Sequence, residues 1–508
     1  MAQSATATLR TVGTQASNPA QGAGLPELVD RRLFRELSYV GGRWTAAEDA
    51  RALDVRNPAD GSLVGRVPLL GAAAATAAVA AAQDAFPAWR RALAKERAAH
   101  LRAWYDLIVA ARRDLALLMV AEQGKPLAEA EGEIDYAASF VAWYAEEATR
   151  LSAEAAPSHL PNAETSVRRE AIGVAALVTP WNFPTAMITR KAAAALAAGC
   201  TVVVHPSSET PFSALALAEL AERAGLPAGV FNVVTGTASE IVPAWCADTR
   251  VRALSFTGST EIGRLLAGQC APTVKQLILE LGGHAPFLVF ADADLDRAVE
   301  SCLSAKFATS GQDCLAANRI YVERPVYQAF VARFLDQVRT LKVGAGLEPG
   351  VEIGPLIHER AVAKMAEQVE DAVGRGARLL AGGKRHDLGG CFFEPTVLAD
   401  VPDEALVFNE ETFGPIAALA PFDSEAEAIA KANATEYGLI AYLHSGDRAR
   451  IARLVPELEY GMVAVNRTKV TGAPVPFGGV KQSGLAREGG RAGIEAFTEL
   501  KYVCEEVG

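Results

Sequence analysis

From about residue 169 the chain alternates short, apolar, β-rich runs with Ala- and Leu-rich runs of helical length. That rhythm is the signature of consecutive βαβ units, and it restricts the chain to a parallel sheet covered on both faces, an α/β architecture. Strands are expected over 172–179, 201–204, 231–234, 251–256 and 277–281. A helix is expected over 188–198, and another opens with Thr210 as cap and Pro211 as its first residue. In such a doubly wound sheet, ligands collect at the carboxyl ends of the strands. A second series starts near Phe287 and continues through 320–322, helices over 327–341 and 361–374, and a strand at 377–380, which suffices for another α/β domain. With 508 residues the chain exceeds what one core usually supports, so two large domains are expected.

Charge and cysteine usage exclude several function classes. A formal charge of -11 without any basic block argues against nucleic-acid binding and against an anionic membrane surface. No apolar run is long enough to span a bilayer, and the Ala-rich stretch 71–82 reads as a soluble helix. The 7 cysteines are scattered, without CxxC or Cys/His ligand spacing, so no metal site is expected. The pattern fits a reducing, cytoplasmic setting and leaves room for one reactive thiol. Residues 1–28 are rich in Ala, Ser, Thr and Gln without the apolar core of a secretory signal, and read as a flexible extension.

Four segments carry residues suited to chemistry. Cys314 follows Gly311-Gln312-Asp313, a Gly-led turn able to present a thiol at the mouth of a cleft; taken alone, an inert buried cysteine is the commoner case. A carboxylate at Asp313 facing the sulfur would oppose thiolate formation. Glu280 stands between leucines at a strand's carboxyl end, ahead of two glycines, where partial burial would raise it toward a usable base; a solvent-facing strand residue is the equal alternative. Asn182, held in Thr179-Pro180-Trp181-Asn182-Phe183-Pro184, could donate to a developing oxyanion, or the segment is simply a stiff turn. The run from Phe256 through Ser259 to Gly263 gives a strand, a glycine turn and a helix start. That suits a pyrophosphate, but without GxGxxG spacing an ordinary strand-to-helix turn is the better reading of the segment alone.

Together, and in this order along the chain, these segments resemble the aldehyde dehydrogenase superfamily from about residue 37 onward, with further likeness in 410–415 and 476–484. The resemblance implies an aldehyde dehydrogenase-like fold: a Rossmann-type cofactor domain (29–150 and 172–282), an α/β catalytic domain (283–481), and bridging segments (151–171 and 482–508) that make a homodimer or homotetramer. It implies oxidation of an aldehyde through a thioester on Cys314, with Asn182 in the oxyanion hole and Glu280 activating water, and no metal. The cofactor, NAD or NADP, is expected to meet Thr179, Trp181, Lys191, His205, Ser208, Gly236, Phe256, Ser259, Glu411 and Phe413, with Glu411 at the nicotinamide ribose. Where the family commonly has Lys and Glu, this chain has His205 and Ser208. Ser208 lifts a repulsion from a 2'-phosphate, while His205 offers a weaker charge than Lys. Residues 187–191, 211–220 and 458–461 are most similar to succinate-semialdehyde dehydrogenases, which makes Arg190 a substrate-carboxylate ligand. The second such arginine is Ala308 here, so Arg467, Lys469 and Thr471 are candidate replacements. Ala316 replaces an extra cysteine, and His284 reads as structural.

Overall fold

The computed structural model describes residues 24–151 and 153–507. Residues 1–23 of the expected extension lie outside the described residues. From residue 24 the chain is already packed: the Gly24 amide donates to Leu63 O at 3.1 Å, Leu28 is buried, and the Val29 and Asp30 amides bond the Asp114 carboxylate at 3.0 and 2.7 Å. Expected flexibility as far as residue 28 is therefore corrected, because Leu28 has a core to join.

Five parallel strands form the centre of an eight-stranded sheet, in the spatial order Gln276–Glu280, Val251–Thr257, Val174–Val178, Thr201–His205, Phe231–Val233. The hairpin Ser38–Val40 and Arg43–Thr45 extends one edge antiparallel. Chain order reverses between Val174–Val178 and Val251–Thr257, so the crevice of the doubly wound sheet opens beyond Val178 and Thr257. The segments with Asn182 and Ser259 follow those two strands. A seven-stranded sheet runs Arg378–Ala381, Thr396–Ala399, Ile416–Phe422, Ala317–Glu323, Ala285–Val289, Ile440–His444, Met462–Val465, parallel except at its first pair.

The third sheet is antiparallel: Thr498–Glu506, Ala163–Ala171, Glu154–Ala156. The C-terminal segment does not all join it. Gly484–Leu485 instead pairs antiparallel with Gln276–Glu280, and Leu281 N–H donates to Ser483 O at 3.0 Å. An unpaired edge at the Glu280 strand would leave backbone groups unsatisfied, and the returning chain supplies them. The bridging assignment of 482–508 is corrected accordingly.

Helix Ala186–Ala198 is buried along its whole length, and its alanines admit the helix Leu127–Glu147 alongside it. Helix Pro211–Arg223 starts where expected, but the Thr210 hydroxyl makes no cap. The Phe212 and Ser213 amides donate to the Glu122 carboxylate, at 2.7 and 2.8 Å, from the end of Arg112–Gln123. A buried tertiary carboxylate satisfies the orphan amides that a local hydroxyl was expected to take. Among the described residues no helix is long and apolar enough to cross a membrane.

Candidate active site

Cys314, Glu280 and Asn182 share one cavity of about 830 Å³ between the two large sheets. Each reaches it by a different device. Asn182 follows the central strand Val174–Val178 in a Pro-bounded turn, and its carbonyl accepts from Lys125 Nζ at 2.7 Å. Lys125 is itself ion-paired with Glu133 at 2.6 Å, both side chains about 1% exposed. The other oxygen of Glu133 takes the Thr185 and Ala186 amides at 3.0 and 3.2 Å, so one buried pair fixes both the turn and the helix that follows it. Asn182 Nδ2 donates to Gln312 O at 3.0 Å, beside the nucleophile's turn, which leaves its second N–H for another acceptor.

The thiol is presented by three successive left-handed residues, Thr309, Ser310 and Gly311, at φ 52°, 55° and 72°. Such a run is disfavoured without outside support. Glu129 accepts the Thr309 amide at 3.1 and 3.0 Å, Ser310 Oγ donates to Gly354 O at 3.0 Å, and Gln312 Oε1 accepts the Ile357 amide at 3.0 Å. Gly311 is required by packing as well, because a Cβ there would lie 2.2 Å from Gly414 O.

Glu280 ends its strand with both carboxylate oxygens buried and without a hydrogen-bond partner among the described residues. Burial raises its pKa to about 7, opposed by the Arg190 guanidinium. The Cys314 thiol is pushed well above its usual range by burial, then by the Glu280 and Asp313 carboxylates. The unfavourable influence expected of Asp313 is thus present, and Arg190 counteracts it.

Glu411, Phe413, Trp181 and Ser259 line the same cavity. Glu411 Oε1 accepts the Gly283 amide at 2.8 Å, and burial raises the carboxyl to about 7. Phe413, at φ 54°, stands edge-on to Trp181 with 5.6 Å between ring centroids. Ser259 caps Thr260–Cys270 by accepting from Ile262 N–H at 3.4 Å, so that helix start faces the cavity. Thr179 Oγ1 is buried at the sheet's crevice with no protein partner among the described residues. A helix N-terminus, an orphan hydroxyl, two aromatic rings and a buried carboxylate together fit a dinucleotide.

The aldehyde dehydrogenase family model matches residues 44–503. The chain belongs to the aldehyde dehydrogenase family. It is 54% identical over 478 residues to a glutarate-semialdehyde dehydrogenase of Pseudomonas aeruginosa, covering 94% of this chain and 99% of that one. To the NADP(+)-dependent succinate-semialdehyde dehydrogenase GabD of Escherichia coli it is likewise 54% identical, with the same coverage. A crystal structure of succinate-semialdehyde dehydrogenase from Burkholderia pseudomallei superposes with a TM-score of 0.94 at 52% identity, covering 95% of this chain and all of that one. The protein is an NAD(P)+-dependent aldehyde dehydrogenase, as its resemblance to the family implied.

Several expected cofactor residues stand elsewhere than at the cavity wall. Lys191 is buried behind it, paired with Glu488 and donating to Thr257 Oγ1 at 2.6 Å, so it touches the site only through those groups. His205 is buried, with Nδ1 2.9 Å from Val234 O, and burial lowers its pKa; it is neutral and provides no charge for a phosphate. Gly236 is needed for its backbone's approach to Leu70, whose oxygen a Cβ would meet at 2.1 Å. Phe256 packs in the core of its strand, while Ser208 is exposed on the turn after Thr201–His205.

On the substrate side, Arg190, Lys469 and Thr471 line the cavity, whereas Arg467 is not part of its wall. Arg190 is 1% exposed, its Nε 2.6 Å from Glu488 Oε2 and its guanidinium 4.0 Å from the Phe477 ring centroid. His284 is buried and held neutral, chiefly by burial. Glu488, Glu129 and the Lys125–Glu133 pair escape a reading of motifs. Each acts across the fold on a partner remote in sequence, and the one local signal was a carboxylate, Glu488, set directly before Gly489-Gly490.

Proposed function

We propose that the protein oxidises a carboxylate-bearing semialdehyde to the dicarboxylic acid through a thioester on Cys314. The observation that carries this reading is the presence of Arg190, Lys469 and Thr471 on the wall of the cavity that holds Cys314, Glu280 and Asn182. A guanidinium or ammonium there binds the distal carboxylate while the aldehyde carbon sits at the sulfur. The free N–H of Asn182 and the Cys314 amide receive the developing oxyanion. When bound, the nicotinamide cofactor accepts the hydride. Glu280, with a pKa of about 7, then takes a proton from the water that hydrolyses the thioester, and the thiol is regenerated.

Trp181, Ser259, Glu411, Phe413 and Thr179 are the residues that would hold the cofactor. Neutral His205 supplies no positive charge for a 2'-phosphate and Ser208 no repulsive carboxylate, which supports use of both NAD and NADP. The protein self-associates, as a homodimer or homotetramer, through the antiparallel sheet. Its outer strand Thr498–Glu506 exposes Leu500 and Tyr502 at 63% and 55%, and a partner chain pairing there would cover them.

The substrate assignment is tested by kcat/KM for succinate semialdehyde, glutarate semialdehyde and uncharged butanal in wild type and Lys469→Ala. The semialdehydes should lead in wild type and lose about tenfold or more in the variant, while butanal is little affected. Butanal leading in wild type would overturn the carboxylate reading.

A further inference from the structure

The Cys314 thiol has two carboxylates for neighbours, and so far only Glu280 has a task. Asp313 is the other. Cys314 follows it in a turn closed by the Ala316 amide on Asp313 O at 3.0 Å. Inside that turn Asp313 Oδ1 accepts the Leu315 amide at 3.0 Å, and the Leu315 carbonyl is held by the Tyr442 hydroxyl at 2.9 Å. The carboxylate is thereby fixed to the same short stretch of backbone as the sulfur. Both residues line the cavity, and the thiol lies within hydrogen-bonding reach of the Asp313 carboxylate.

One turnover removes two protons from reacting groups, one from the thiol and one from the water that hydrolyses the thioester. Burial keeps the thiol well above its usual range, so attack on an aldehyde needs a base in place. Asp313 raises the thiol further, but an anion that opposes a free thiolate is also one that can receive its proton. Lys125 and Arg190 favour the ionised form of Asp313 against the burial that raises its carboxyl. Glu280 also reaches the sulfur, yet with a pKa of about 7 it is partly protonated at neutral pH, and no hydrogen bond among the described residues fixes its oxygens.

We infer that Asp313 is a second catalytic carboxylate, the base that takes the thiol proton, which leaves Glu280 for water. The inference rests on the thioester reading above and adds to it. As the S–H bond of Cys314 breaks, the proton passes to Asp313, and the sulfur electrons form the bond to the aldehyde carbon while the carbonyl electrons become the oxyanion. The hydride then leaves for the cofactor. Glu280 takes a proton from the attacking water, the S–C bond breaks, and the departing sulfur recovers its proton from Asp313. The proton on Glu280 and that of the acid go to solvent.

The test is the rate of the NAD(P)H burst with succinate semialdehyde. Asp313→Asn keeps an amide oxygen for the Leu315 N–H and removes the basic group, so the burst should slow by about 10²-fold or more. Asp313→Ala should be equally slow, and added formate, a carboxylate small enough for the vacated space, should speed it in proportion to concentration. A residue that only supports the turn would show no such rescue. An Asp313→Asn burst as fast as wild type, or faster, would overturn the inference and leave Asp313 as an obstacle to ionisation. A slow Asp313→Ala burst that formate does not raise would overturn it as well. Cys314→Ala keeps the two readings apart: turnover surviving in that variant removes the thioester itself, whereas the Asp313 outcomes decide only which group takes the proton.

Discussion

Arg190 Nε stands 2.6 Å from Glu488 Oε2, and the other oxygen of that carboxylate takes Lys191, 297 positions away in the chain. One anion thus serves two adjacent cations, all three side chains at most 5% exposed. Burial of Lys191 lowers its pKa, and Glu488 opposes that effect. Removing one member of such a cluster leaves charge without a partner in a place water cannot reach.

Glu488→Gln should therefore destabilise the protein by about 3–5 kcal/mol, read as a lower midpoint in urea. An unchanged midpoint would mean that Arg190 and Lys191 find other partners. The loss should exceed that of Glu427→Gln, whose side chain is about 35% exposed and whose nearest ion-pair partner, Lys431, lies 3.9 Å away.

The nucleophile is separable from other buried thiols. Cys302 lies within helix Leu295–Phe307, fully buried, and its thiol is pushed well above the usual range. Cys314→Ala should reduce turnover by at least about 10³-fold, whereas Cys302→Ala should keep most of it in a steady-state assay of NAD(P)H formation. Equal activity in the two variants would remove Cys314 from the mechanism.

Local rules carried much of the fold and less of the site. The strands around 174–178, 201–205 and 251–257 were legible because a parallel strand buried on both faces must be a short continuous apolar run between turn signals. Cys314, Glu280 and Asn182 stood out because each sits on or beside a turn marked by glycines or prolines, but the local signal left inert alternatives open and only the family resemblance gave them roles. Lys191, His205 and Gly236 carry no local mark that separates a role in the fold from one toward the cofactor. A lysine within helix Ala186–Ala198, a histidine at a strand's end and a glycine just beyond one serve the fold as readily as a ligand, and here they pack against Glu488, Val234 and Leu70 respectively. The cap on Pro211–Arg223 failed similarly, since Glu122 lies 90 positions from Phe212 and leaves no mark near Thr210.

Glu280 should control the second half of the reaction and not the first. Replacing it with Gln removes a carboxylate that holds the Cys314 thiol up, so the thiol ionises no less readily. A burst of NAD(P)H should persist while turnover stalls at the acyl-enzyme. The pH dependence follows from which form is the base. A pKa of about 7 means the carboxylate predominates above that pH, so hydrolysis should rise roughly tenfold per unit below 7 and level off above it. The burst amplitude should lack that inflection, and a wild-type turnover profile flat from pH 5.5 to 8 would remove Glu280 as the base.

Cofactor choice turns on Ser208. It is exposed on the turn after Thr201–His205, the strand next to the one that leads to Asn182. The only ionisable side chain on the preceding strand is His205, and burial keeps it neutral, so that strand brings no positive charge to a 2'-phosphate. A carboxylate introduced by Ser208→Glu would face that phosphate, while the ribose hydroxyls of NAD could hydrogen-bond to it. The kcat/KM for NADP should fall by about tenfold or more, with NAD unchanged or improved. Added salt should narrow the gap, because an exposed repulsion of this kind is screened over roughly 10 Å at 0.1 M. Equal losses with both cofactors would show that residue 208 lies away from the ribose, and the two dehydrogenase activities measured side by side decide it.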